Sequence, residues 1–212
     1  MAKVKICGLK REDDVICVNR HLPDFAGFVF ADSPRRVSPE TAEKLAELLD
    51  KRIKRVGVFV NESMDTVVEI FKRCRLDIIQ LHGDETSEYV GRMRAAVPGA
   101  VLWKAVRIKN AGSIDGLKNC NADLFVLDTF SKVRYGGTGE AFDWKIAAGS
   151  GLCDKIIIAG GLTALNVREA IRIARPYAVD ASSGVETDGR KDDAKVRDFI
   201  IAVRCEEREV VS

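Results

Sequence analysis

Ile156-Ile157-Ile158-Ala159-Gly160-Gly161-Leu162 and Val179-Asp180-Ala181-Ser182-Ser183-Gly184-Val185 decide how this chain is read. Each stretch is an apolar run that stops at small residues. Small residues after a buried strand let backbone N–H groups approach an anion closely. Either stretch alone is an ordinary tight turn, because Gly and Ser are default turn residues. Two of them ending consecutive strands make a phosphate cradle, as the loops after strands seven and eight of a (β/α)8 barrel often do. The reading therefore expects a phosphorylated ligand, gripped by Gly160, Gly161, Ser182 and Ser183.

Upstream, the same alternation repeats. Apolar strands are expected at 4–7, 25–30, 55–60, 77–81, 101–106, 124–128, 155–159 and 177–180. Helical patterns fall between them: 11–20, a run starting at Ser38-Pro39-Glu40, one led by Asn61-Glu62-Ser63, 86–96, 112–119, a short one opened by Phe142-Asp143-Trp144, 164–174 and 192–205. Ser38 can cap and Pro39 suits the first helical position. Continuous apolar strands alternating with amphipathic helices indicate an α/β fold with a parallel sheet covered by helices. Eight units indicate closure into a single (β/α)8 TIM barrel spanning residues 1–212. The alternative, an open doubly wound sheet, lacks its GxGxxG fingerprint: only Gly8 follows the first strand. The loop through Gly136-Gly137-Thr138-Gly139 is expected to be the longest and most flexible.

Composition narrows the function classes. Net charge is +2 and the charged share 31%, which gives no reason to expect nucleic acid or a membrane surface as partner. No apolar run is long enough for a transmembrane helix, and Met1-Ala2-Lys3-Val4-Lys5 enters a strand pattern directly, so a cytoplasmic protein is expected. Six scattered cysteines with no CxxC pair argue against a zinc site and a disulfide framework. Two histidines, His21 and His82, cannot furnish a multi-histidine metal centre.

In a barrel of this kind, chemistry sits at the C-terminal ends of the strands. The polar residues there are Cys7, Arg35, Asn61, Gln80, His82, Arg107, Asp128 and Asp180. Val4 and Ile6 alternate with Lys5 and Cys7, so the apolar pair should face the helices and Lys5 and Cys7 the barrel interior. A nearby ammonium would lower the thiol pKa towards neutrality and make Cys7 a usable base. Lys5, pointing inward, needs a partner, and Asp180 on the neighbouring eighth strand is expected to supply it. Asp128 is either a turn residue or a general acid or base in a partly buried mouth. Arg35 is either solvated or holds a carboxylate with its planar fork. The other five cysteines read as structural.

Ten stretches in order resemble the phosphoribosylanthranilate isomerase family of tryptophan biosynthesis. They are Lys5-Ile6-Cys7-Gly8-Leu9, Gly27-Phe28-Val29-Phe30, Ser33-Pro34-Arg35, Val56-Gly57-Val58-Phe59-Val60-Asn61, Gln80-Leu81-His82-Gly83, Leu127-Asp128-Thr129, Gly136-Gly137-Thr138-Gly139, Phe142-Asp143-Trp144, Ala159-Gly160-Gly161-Leu162 and Asp180-Ala181-Ser182-Ser183-Gly184-Val185-Glu186. The resemblance implies a cofactor-free, metal-free Amadori rearrangement of a small phosphorylated substrate. It implies Cys7 as base, Asp128 as acid, Arg35 facing the substrate's ring and carboxylate, and phosphate contacts from the loops of Gly160, Gly161, Ser182 and Ser183; Gln80, His82 and Asp180, at strand ends of the same mouth, are expected to bind the substrate too. A monomer or homodimer is expected. The chain departs from the family pattern at Lys10 and over 187–191, where neither departure is expected to touch the acid or the base. Two other readings remain: another phosphosugar barrel such as a pentose-phosphate epimerase, and a silent barrel that only binds a phosphorylated metabolite or a partner chain.

Overall fold

The structure, a computed structural model, describes residues 2–129 and 142–205. Eight parallel strands close into a barrel in the order of the chain: β1 (Lys3–Cys7), β2 (Phe25–Val29), β3 (Lys54–Phe59), β4 (Ile78–Leu81), β5 (Val101–Ile108), β6 (Leu124–Thr129), β7 (Ile156–Ile158) and β8 (Ala178–Ala181). β8 pairs back onto β1, with Lys5 opposite Asp180. The helices are α1 (Glu12–His21), α2 (Pro39–Leu48), α3 (Met64–Arg73), α4 (Ser87–Ala96), α5 (Lys145–Ala148), α6 (Val167–Ala174) and α7 (Asp193–Cys205). The open-sheet alternative is thereby excluded. The glycine-rich segment 136–139 lies outside the described residues.

Helix starts follow the local chemistry. Ser38 accepts the Thr41 N–H with Pro39 at the first helical position, and Ser63 and Thr86 cap α3 and α4 in the same way. One expected helix is absent. Residues 112–119 fold as two short 3₁₀ turns, Ala111–Ile114 and Leu117–Asn119. Gly112 and Gly116 weaken a helix there, and Ile114 and Leu117 are too few apolar residues for a buried stripe. A small antiparallel hairpin, β9 (Glu186–Thr187) and β10 (Arg190–Lys191), follows β8.

Strand alternation divides the core in two. Val4, Ile6, Phe28, Ile79, Leu102, Phe125, Leu127 and Val179 pack outward against the helices. Phe25, Val56, Ile78, Trp103, Val126 and Ile157 fill the barrel interior, with Phe25 and Trp103 edge to face at 5.0 Å. Lys5 and Cys7 face the same interior, as their alternation requires, so the polar side chains collect towards the C-terminal ends.

Candidate active site

Lys5 is wholly buried, and its ammonium donates to Asp180 Oδ2 at 2.6 Å. The expected pair is therefore present. Burial works to lower the Lys5 pKa, but the Asp180 carboxylate and the Cys7 sulfur outweigh it, so Lys5 stays firmly charged. Asp180 Oδ1 is buried without a hydrogen-bond partner among the described residues.

The Cys7 thiol corrects an expectation. Burial pushes its pKa up, and the downward pull of Lys5 and Lys191 does not compensate; Asp180 adds to the rise. Burial thus disfavours the thiolate in the resting protein. A Cβ on Gly27 would lie 2.7 Å from Cys7 Sγ and 3.2 Å from Lys5 Cε, so the glycine is what leaves room for both side chains.

A second correction concerns the hairpin after β8. Lys191 reaches back across the barrel closure and donates to the Cys7 carbonyl at 2.6 Å, the Ser182 carbonyl at 3.2 Å and Glu186 Oε1 at 2.7 Å. The segment 187–191 thus touches the residue read as the base. No local sequence signal revealed this, because 184 residues separate Lys191 from Cys7. Ser182 Oγ also donates to the Cys7 carbonyl at 3.0 Å. Lys10, the other departure, ties its ammonium to the Pro34 carbonyl at 2.9 Å.

Arg35 lies over Gly8, where an added Cβ would sit 2.6 Å from Arg35 Cδ. Its Nε and Nη2 donate to the two oxygens of Glu186 at 2.9 and 2.7 Å. Burial works to raise the Glu186 pKa, but the bonds from Arg35 and Lys191 hold it below its ordinary value. One edge of the Arg35 fork is therefore held by the protein itself. In sequence Glu186 stands out only as the end of the Asp180–Glu186 stretch.

Asp128 is buried at the end of β6. Its Oδ1 accepts the Thr129 N–H at 2.8 Å, and its Oδ2 meets His82 Nε2 at 3.1 Å. His82 Nδ1 in turn lies 2.7 Å from Gln80 Nε2. Gly160, with φ +81°, packs against this carboxylate: a Cβ there would stand 2.7 Å from Asp128 Oδ1 and 2.8 Å from the Thr129 nitrogen. Gly161 also has positive φ, +67°. Gly184 packs directly onto the Leu162 carbonyl, so the loops after β7 and β8 abut as a cradle requires. Ser183 opens a short 3₁₀ turn whose cap is Ser182. Asn61 and Arg107 serve the rim: Asn61 Oδ1 accepts the Asp84 N–H at 2.7 Å, and Arg107 pairs with Asp84.

Among the described residues, one group could offer three metal ligands: Cys17, His21 and Asp193, with donor atoms within 4.8 Å of one another. It lies between α1 and α7. Asp193 is already bonded by Arg20 at 2.6 Å and His21 at 3.0 Å, in the first turn of α7 where the backbone N–H groups disfavour a cation. It reads as a helix–helix tie.

A thiol, a carboxyl side chain and paired small-residue turns gather at the C-terminal ends of the strands, the layout of a (β/α)8-barrel enzyme site. The comparisons sharpen that class. Residues 4–202 match the family model described as N-(5'-phosphoribosyl)anthranilate (PRA) isomerase. The N-(5'-phosphoribosyl)anthranilate isomerase of Acetivibrio thermocellus is 50% identical over 210 residues, covering 96% of each chain. Monomers made from the dimeric phosphoribosylanthranilate isomerase of Thermotoga maritima superpose with a TM-score of 0.84 at 34% identity, over 97% of this chain and 100% of that one. A phosphoribosylanthranilate isomerase bound to reduced 1-(o-carboxyphenylamino)-1-deoxyribulose 5-phosphate gives a TM-score of 0.84 at 33% identity, over the same shares. The chain belongs to the phosphoribosylanthranilate isomerase family, isomerases of tryptophan biosynthesis. No helix among the described residues is long and apolar enough to cross a membrane.

Proposed function

We propose that the chain converts N-(5'-phosphoribosyl)anthranilate to 1-(2-carboxyphenylamino)-1-deoxy-D-ribulose 5-phosphate without a cofactor, with Asp128 as general acid and Cys7 as general base. One observation carries the reading: the Cys7 thiol and the Asp128 carboxyl both line the mouth, one at the end of β1 and the other at the end of β6, beside abutting small-residue loops.

Protonated Asp128 gives its proton to the furanose ring oxygen as the C1–O bond breaks and the anilino nitrogen forms an iminium. The positive iminium beside Cys7 favours the thiolate that burial disfavours in the free enzyme. The thiolate takes the C2 proton, the electron pair forms the C1=C2 bond of an enolamine, and tautomerisation gives the ketone. The thiol proton leaves to solvent as the thiolate forms, one proton then enters the substrate from Asp128 and one leaves it to Cys7, and Asp128 regains its proton from solvent after turnover, so the exchange balances. The donors on Asp128 stabilise the carboxylate left behind.

The phosphate sits against the loops of Gly160, Gly161, Ser182 and Ser183, held mostly by backbone N–H groups, since the Ser182 hydroxyl is already committed to Cys7. The free edge of Arg35 takes the anthranilate carboxylate. Asp180 Oδ1, buried and without a partner among the described residues, is the acceptor for a substrate hydroxyl. The chain acts on this small phosphorylated substrate as a monomer or a homodimer. The test follows the fluorescence of the anthranilate substrate as it is consumed. Wild type should turn over; Cys7→Ser and Asp128→Asn should each lose about 10²–10⁴ in kcat with binding retained. Full activity in a clean Cys7→Ser preparation would remove the thiolate from the mechanism.

A further inference from the structure

His82 is pinned on every side. Its own N–H donates to the Phe59 carbonyl at 2.7 Å. The buried Lys104 ammonium binds the carbonyls of the two flanking residues, Leu81 at 3.4 Å and Gly83 at 2.8 Å, and is itself held by Glu85 at 2.9 Å. Glu85 also takes the Gly83 N–H at 2.9 Å and the Asn61 N–H at 2.8 Å. A turn this heavily tied places one ring, and that ring meets Asp128.

The tautomer follows from Gln80. With the amide nitrogen donating to Nδ1, the ring proton sits on Nε2 and points at Asp128 Oδ2. The reversed amide would put a proton on Nδ1 and leave a bare Nε2 facing Asp128 Oδ2, with nothing to donate to the carboxylate formed when the acid gives up its proton. The orientation with the Nε2 proton leaves Gln80 Oε1 buried without a partner among the described residues. An orphaned buried acceptor needs a reason, and fixing the His82 tautomer supplies one.

We propose that His82, locked in one tautomer by Gln80, is a positioning residue that aims the Asp128 carboxyl at the substrate ring oxygen, and is not itself a substrate ligand. The inference rests on Asp128 being the acid. His82 Nε2–H and Thr129 N–H occupy one site on each carboxylate oxygen, which fixes the plane of the group and where its transferable proton can lie.

Steady-state kinetics with the anthranilate substrate test it. His82→Ala should lower kcat about 10–100-fold, the usual worth of a group that orients a catalytic ligand, with KM within about twofold. His82→Gln, whose amide nitrogen reaches the same place, should recover most of the loss. In an Asp128→Asn background, His82→Ala should cost almost nothing more, because residues acting as a unit are not additive. Unchanged kcat in folded His82→Ala, a rise in KM alone, or a full extra loss in the Asp128→Asn background would each overturn the proposal. Ring ¹⁵N NMR of the free protein gives a readout independent of turnover, with His21→Asn leaving a single histidine. A proton on Nε2 whose signal moves in Asp128→Asn is expected; a proton on Nδ1, or indifference to Asp128, would overturn the proposal. Failure of wild type to turn over would instead sink the isomerase reaction.

Discussion

Replacing Lys5 with Met removes the cation from a pair that has almost no access to water. The ammonium is wholly buried and bonded at 2.6 Å, and its partner Asp180 is only 7% exposed. Asp180 would be left as a buried carboxylate with both oxygens short of partners, because Oδ1 has none among the described residues already. Breaking a buried pair from one side costs about 3–5 kcal/mol. For a chain of this size each kcal/mol moves Tm by about 2–4 °C, so the melt should fall by roughly 6–20 °C. Circular dichroism melts and guanidinium titrations measure it. Lys5→Met/Asp180→Asn should cost less than the two single changes together, since no buried charge then remains. The Cys7 thiol loses one of its two downward pulls, so its alkylation at pH 8 should slow in Lys5→Met. Stability within about 1 kcal/mol of wild type, or strict additivity in the double variant, would refute the buried-pair argument.

Gly160→Ala puts a Cβ against Asp128 and Thr129 on a backbone with φ +81°; kcat should fall at least about tenfold with a stability loss of about 1–3 kcal/mol, read by turnover and melting. Glu186→Gln frees the Arg35 fork from its anchor, so KM should rise about tenfold with kcat nearly constant, and an unchanged KM would remove Arg35 positioning from the account. Alkaline pH should destabilise the fold. Burial pushes Cys17 and Cys74 from 9.0 up to about 11, so between these values the folded chain keeps protons that the unfolded chain releases, and unfolding free energy falls as pH rises. Lys191, held below its ordinary value, works in the opposite sense. Denaturant titrations at pH 8 and 10.5 should show the net drop, with a shallower one in Cys17→Ala/Cys74→Ala.

The barrel was legible because period-two strands and small-residue stops are local signals. Val4, Lys5, Ile6 and Cys7 alternate, which puts the lysine and the thiol inside, and barrel closure beside the eighth strand then calls for Asp180 as partner. The missed features are the nonlocal ones. Asp128 and His82 are 46 residues apart, and Arg35 and Glu186 are 151 apart. Lys191 arrives on a two-residue strand too short to carry a pattern. The direction of the thiol pKa is hidden from sequence for a related reason: a nearby lysine is visible there, but the completeness of burial is set by the whole closed barrel. The helix expected at 112–119 failed on its own glycines.

The bonds around Cys7 have a consequence for synthesis. Lys5 to Asp180, Ser182 to the Cys7 carbonyl and Lys191 to the same carbonyl span 175, 175 and 184 residues. A nascent chain still lacking β8 has β1 as an open edge and a thiol in water, with the reactivity of any free cysteine. Only when the last strand and its hairpin dock does the sulfur become shielded and the mouth complete. Contacts of such long range form late, so loss of Cys7 reactivity towards a small alkylating reagent is a timer for barrel closure. The residue read as the base thus records the moment at which the chain becomes an enzyme.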